Sequence, residues 1–67
     1  MEMIKVQSSN IQEIGWEKDT LYVKYASGTY AYYGVKQSLF EALKNAESKG
    51  RFMNDNIKSM YKYSKII

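Results

Sequence analysis

The chain has no histidine and no cysteine among its 67 residues. It therefore lacks the commonest acid, base and thiol chemistry and the commonest metal ligands. A disulfide is excluded, and a structural zinc site lacks its usual histidine and cysteine ligands. No apolar run approaches the ~20 residues that a membrane span needs. Met1 to Gln7 holds no uninterrupted apolar stretch of signal-peptide length. The expectation is a soluble, cytoplasmic chain with no membrane partner, no metal and no cofactor. Catalysis finds little support: serines and lysines are common, and no spacing selects a Ser–Lys pair. The carboxylates Glu13, Glu17 and Asp19 lie close in sequence without the spaced oxygen ligands of a calcium loop.

Aromatic residues are what the chain has in plenty: seven tyrosines, two phenylalanines and one tryptophan. Tyrosine joins an apolar ring to a polar tip, which suits a core, a wet interface or a base-stacking surface. The net charge of +3 is unevenly placed: residues 1–42 carry −1 and residues 43–67 carry +4. A basic C-terminal third suits an anionic partner such as phosphate, although a solvated lysine-rich face has the same composition. A chain this short forms one domain and buries only about 60% of its unfolded surface. With no disulfide or metal to staple it, self-association is the remaining support, and a homo-oligomer, most simply a dimer, is expected. A monomer held by its aromatic core is the alternative.

Strand signals fill the first half. Met3 to Gln7 alternates weakly, and Ser8-Ser9-Asn10 is a turn cluster. Ile11, Ile14 and Trp16 mark a second strand, in which Gly15 predicts a bulge or a close backbone approach. Glu17 to Thr20 turns the chain. Leu21, Val23 and Tyr25 then share one strand face, and Tyr22 and Lys24 the other. Gly28 supplies a hairpin residue able to take positive φ, and Tyr30-Ala31-Tyr32-Tyr33 is the next strand. Helix signals fill the second half. Leu39, Phe40, Leu43 and Ala46 recur at helical spacing, with Ser38 and Glu41 spaced as a capping box. Gly50 is placed to cap that helix, and Phe52, Met53, Ile57 and Met60-Tyr61 fit a second. Tyr63 to Ile67 is a tail that docks back or frays. The order predicts an α+β fold: a three- to four-stranded antiparallel meander followed by two short helices packed on one face.

Several blocks taken together are similar to a known family. They are Ser8-Ser9-Asn10-Ile11, Ile14-Gly15-Trp16, Leu21-Tyr22-Val23 and Gly28-Thr29-Tyr30-Ala31-Tyr32. Ala46 to Phe52 with Asn54 and Ile57, and then Tyr61-Lys62-Tyr63, complete the series. This order resembles the KTSC domain, named for a C-terminal segment of some lysyl-tRNA synthetases and found free-standing in bacterial and phage proteins. The likeness runs from about Val6 to Ile66, so residues 1–67 read as one such domain. Its most specific elements are Tyr30-x-Tyr32 and the Ser48-Lys49-Gly50-Arg51-Phe52-x-Asn54 block. The chain departs from the family at Val35-Lys36, where Val-Pro is usual, at Tyr61-Lys62-Tyr63, where Tyr-Pro-Tyr is usual, and at Trp16-Glu17, where Tyr-Asp is common. The resemblance implies an RNA-binding role.

Tyr30 and Tyr32, two apart on one strand face, suit either base stacking or packing under the helices; if they are buried, Tyr22 and Tyr33 become the exposed pair. Lys49, Gly50 and Arg51 offer phosphate donors around a close-approach glycine, or a cap for the first helix. Asn54 can read a base edge or satisfy backbone. Tyr61, Lys62, Tyr63 and Lys65 interleave rings and charges, as a nucleic-acid surface or a docked tail does. Ser8 and Ser9 fit a turn better than a phosphate. The leading reading is a non-enzymatic module that binds RNA, single-stranded nucleic acid or a nucleotide. One alternative is a phage-type sponge that sequesters a small nucleotide messenger between subunits. Another is a protein-interaction domain or inhibitor with tyrosine hot spots.

Overall fold

Period-two patterning in the first half becomes sheet, and helical spacing in the second becomes helix. The computed structural model describes residues 2–67. The elements are β1 (Ile4–Lys5), β2 (Ile11–Glu17), β3 (Thr20–Tyr25), β4 (Gly28–Tyr33), α1 (Gln37–Asn45), α2 (Lys49–Asn56) and β5 (Tyr63–Lys65). The five strands form one sheet in the order β1-β2-β3-β4-β5, each neighbour antiparallel. The fold is α+β, as expected. The tail docks, and it adds a fifth strand to the meander.

Both turn signals hold. Lys18 and Asp19 take φ of 48° and 60° between the paired residues Glu17 and Thr20, the doubly left-handed loop that matches strand twist. The Asp19 carbonyl then accepts from the amides of Gly34 and Val35, both at 2.9 Å, which ties this turn to the exit from β4. Gly28 opens β4 with φ of +145°. The irregularity in β2 lies between Ile11 and Glu13, whereas Gly15 stays in register opposite Tyr22. The bulge expected at Gly15 is therefore placed earlier, where β2 first meets the end of β3.

Register sorts the side chains. Ile14, Val23 and Tyr30 stand in one cross-strand row, and Trp16, Leu21 and Tyr32 in the next. That face packs against Val35, Phe40, Leu43, Met53 and Ile57 to form the core. Trp16 Nε1 donates to the Val35 carbonyl at 2.7 Å and closes one side. The opposite face carries Gly15, Tyr22, Ala31 and Ser64, and there the Tyr33 and Ser64 hydroxyls share a 2.6 Å hydrogen bond.

The helix ends differ from their sequence signals. Helix α1 begins at Gln37 with Lys36 as N-cap and no side-chain cap. Val35, buried and tied through its amide to Asp19, starts the helix early enough that Ser38 falls inside the first turn, so the Ser38–Glu41 box does not cap it. Gly50 does not end α1. The chain leaves α1 through extended Ala46, and Ser48 caps α2 by accepting from the Arg51 amide at 3.3 Å. Gly50 then sits in the first turn of α2. Helix α2 ends at Asn56, and Met60 is 70% exposed, so it leaves the core face while Tyr61 packs against the core.

Candidate functional site

Three adjoining clefts run along one side of the molecule. The first, about 310 Å³, lies between the β3–β4 hairpin, β5 and the segment after α2, and Tyr25, Tyr30, Tyr32, Tyr63, Ser27 and Lys58 line it. The second, about 300 Å³, shares Tyr25, Ser27 and Lys58 with the first and adds Asn10, Gly50 and Asn54. The third, about 510 Å³, shares Asn10, Gly50 and Asn54 with the second and reaches Ser8, Ser9, Ser48, Lys49 and Arg51. These shared walls make one continuous trough. Rings gather at one end, amides and Lys58 in the middle, and hydroxyls and paired charges at the other end.

Register builds the aromatic end. Pairing of Val23 with Tyr30 and of Leu21 with Tyr32 sets Tyr25 diagonally beside Tyr30 on the core face. Their rings meet edge-on, with centroids 5.6 Å apart and planes at 79°. Tyr63 faces Tyr32 across β4–β5, with centroids 5.5 Å apart and planes at 34°, and lies 6.1 Å from Tyr30. Tyr32 is only 3% exposed, whereas Tyr63 is 57% exposed. Tyr30 and Tyr32 therefore form the wall of a cleft rather than an open platform. On the opposite face Tyr33 is 46% exposed, but its hydroxyl is held by Ser64.

Burial pushes the Tyr25 hydroxyl far above the ordinary tyrosine range, and the Tyr32 hydroxyl adds to the rise. Burial also raises Tyr32. Tyr25 Oη is buried with no partner in good hydrogen-bond geometry among the described residues, and the nearby Tyr32 hydroxyl is the side chain that comes close to serving as one. Lys58 Nζ lies 5.3 Å from the centroid of the Tyr25 ring, within cation–π range. No acidic side chain lines the first two clefts. The third holds Glu47 and Asp55 as well as its cations. There Lys49 Nζ donates to the Ala46 carbonyl at 2.9 Å, and Arg51 Nε lies 3.8 Å from Asp55 Oδ2.

The trough brings together Tyr30, Tyr32, Tyr63, Lys49, Gly50, Arg51 and Asn54. It does not include Tyr61, which packs against the core, or Lys62 and Lys65, which flank and form β5. Ser8 serves its turn, with its Oγ accepting from the Asn10 and Ile11 amides at 3.4 Å each. Tyr25, Lys58 and Asn10 line the trough without having been singled out. The face shared by Leu21, Val23 and Tyr25 was a usable signal for the first. Lys58, one lysine among nine, carries none beyond its spacing of four from Asn54. Among the described residues no three Asp or Glu side chains converge as a metal site, and no helix is long and apolar enough to cross a membrane.

The model of the KTSC domain family matches residues 7–64. Over 67 residues the chain is 34% identical to a lysine–tRNA ligase of Nostoc punctiforme, covering 96% of this chain but only 12% of the ligase. It is 36% identical over 63 residues to a protein of Tsukamurella paurometabola, covering 90% of this chain and 94% of that one. The crystal structure of a KTSC domain protein from Yersinia pestis superposes with a TM-score of 0.93 at 35% identity, covering 98% of this chain and 97% of the other.

Proposed function

This chain belongs to the KTSC domain family, and from that premise we propose that it is a non-enzymatic module that binds single-stranded RNA or a nucleotide. The observation that carries the reading is the trough, in which stacking rings, amides and cations follow one another along a single groove. Aromatic rings accept any base, with about 1–3 kcal/mol per stacked base. Asn10 and Asn54 offer donors and acceptors to base edges or sugar hydroxyls. Lys58 offers positive charge to phosphate, whereas Lys49 and Arg51 beyond it are each set beside an oxygen of the protein. The relative that carries a similar segment within a lysine–tRNA ligase supports an RNA setting. With no histidine or cysteine in the chain, the trough holds and orients a ligand rather than transforming it.

Fluorescence polarisation of labelled single-stranded RNA, at two salt concentrations, tests the reading. Binding that weakens as salt rises is the expected result, because cations released from phosphate are returned at high salt. No binding at high micromolar protein, to RNA or to nucleotides, would overturn it. A complex with a protein that salt leaves unchanged would move the function to protein interaction.

A further inference from the structure

The geometry points to a narrower ligand, and this rests on the reading above: the tyrosine cleft and Lys58 together hold one nucleotide unit with one phosphate. Lys58, beyond the 48–54 block, is the residue that reads the phosphate. The charges along the trough are not equivalent. At the far end Lys49 is engaged by the Ala46 carbonyl and Arg51 lies beside Asp55, with Glu47 also in the wall. Two cations and two carboxylates make that end formally neutral. Lys58 stands differently. It lines both the tyrosine cleft and the amide cleft, neither of which has an acidic wall, and it has no ion-pair partner among the described residues. Its only marked side-chain contact is the face of the Tyr25 ring, 5.3 Å away. An ammonium in that position is placed for an incoming anion.

Dimensions agree with one unit rather than a strand. The two clefts that share Lys58 measure about 310 and 300 Å³, at the small-ligand end of the usual range of about 300–1,000 Å³. The ring against which a base would lie is Tyr63, the most exposed of the cleft tyrosines, with Tyr30 and Tyr32 behind it. Rings lie on one side of Lys58 and Asn10 and Asn54 on the other. A nucleoside monophosphate, free or as one residue of an RNA, has its sugar between base and phosphate, so a base on the rings directs the phosphate toward Lys58, where the Asn10 and Asn54 amides can also donate to its oxygens. Tyr25 Oη, buried near the Tyr32 hydroxyl, adds a polar group to the same cleft wall.

The test uses the full chain and titrates four ribonucleoside 5′-monophosphates, the matching nucleosides and a length series of single-stranded RNA. Chemical-shift mapping and polarisation competition are the readouts. The expected result is that monophosphates bind, nucleosides bind far more weakly, and monophosphates displace RNA. Lys58→Met should lower affinity about tenfold or more, as loss of a charge-assisted contact does. It should also remove a salt slope of about 0.7, the value for one phosphate of a single strand. Lys58→Arg should restore most of both. The paired change Lys49→Ala with Arg51→Ala should alter affinity less than about twofold. RNA binding that no monophosphate displaces, or a salt slope that disappears with Lys49 and Arg51 and not with Lys58, would overturn this inference while leaving the RNA-binding reading in place. Monophosphate binding with no RNA binding would sustain it and locate the source as a free nucleotide. Silence from both ligands would remove both.

Discussion

At the scale of the residue, Tyr25 is the anomaly. Its ring belongs to the structure, edge-on to Tyr30 and under Lys58, but its buried hydroxyl has no partner in good hydrogen-bond geometry, only the nearby Tyr32 hydroxyl. An unsatisfied buried hydroxyl costs about 1–3 kcal/mol, and an apolar group of the same shape does not bear that cost. Tyr25→Phe keeps the ring and removes the orphan. We expect it to raise Tm by several degrees, since about 1 kcal/mol corresponds to roughly 4–8 °C in a domain of this size. Thermal melts followed by circular dichroism check this, and a lowered Tm would mean that the Tyr32 hydroxyl satisfies it. Titration gives a second readout of the same group. Burial raises the folded hydroxyls of Tyr25 and Tyr32 above their unfolded value of about 10. The folded state therefore keeps protons that the unfolded state has lost. Their contribution to stability is intact below about pH 10 and falls as pH rises above it. Urea midpoints at about pH 9 and about pH 11 should separate more in the parent than in Tyr25→Phe.

At the scale of the element, β5 carries the most consequence for its length. Three residues pair with β4, and the Ile66 amide donates to the Thr29 carbonyl at 2.8 Å. This strand presents Tyr63 to the cleft. Gly28 makes its approach possible: a Cβ there would meet the Ile67 carbonyl oxygen at 2.5 Å and Lys65 Cε at 2.6 Å. The lysine tip can swing away, but the backbone oxygen moves only if the tail moves. With φ at +145°, the new side chain is also strained. Gly28→Ala should therefore loosen β5 while the core stays folded, at a cost of about 1 kcal/mol or more. Amide exchange at Ile66 should quicken while Val23 stays protected, and nucleotide affinity should fall with the loosened Tyr63. Unchanged exchange at Ile66 would count against it. The sequence shows β3 and β4 by alternation, but β5 less plainly. Tyr63-Ser64-Lys65 also alternates, yet three residues cannot declare a strand when the partner lies some thirty positions upstream. The boundary between the two helices is hidden in the sequence for a different reason. Gly50 is a strong stop signal and Ser48 a strong start signal, and only the path of Ala46 decides between them.

At the scale of the whole molecule, the trough has no owner in the sequence. Its walls come from the 8–10 turn, the β3–β4 hairpin, α2 and β5, which meet only because they enclose one core. Gly50 and Asn54 of the 48–54 block line the trough, with the Asn10 amide 3.9 Å from where a Gly50 Cβ would stand. Lys58 and Tyr25 needed the assembled fold. Such a site should be lost as a unit. Stability of about 0.05–0.15 kcal/mol per residue gives a chain of this length roughly 3–10 kcal/mol in all. Leu43 is wholly buried between the helices and the sheet, and Leu43→Ala should cost about 2–5 kcal/mol. That is a large share of the total, although Leu43 lines none of the three clefts. We expect its melt to remain a single transition, displaced downward by roughly 10 °C or more. Nucleotide binding should follow the folded fraction at each temperature, with unchanged affinity per folded molecule. If the Leu43 variant kept its melting temperature but lost binding, the core and the trough would not be the single cooperative unit that their shared walls imply.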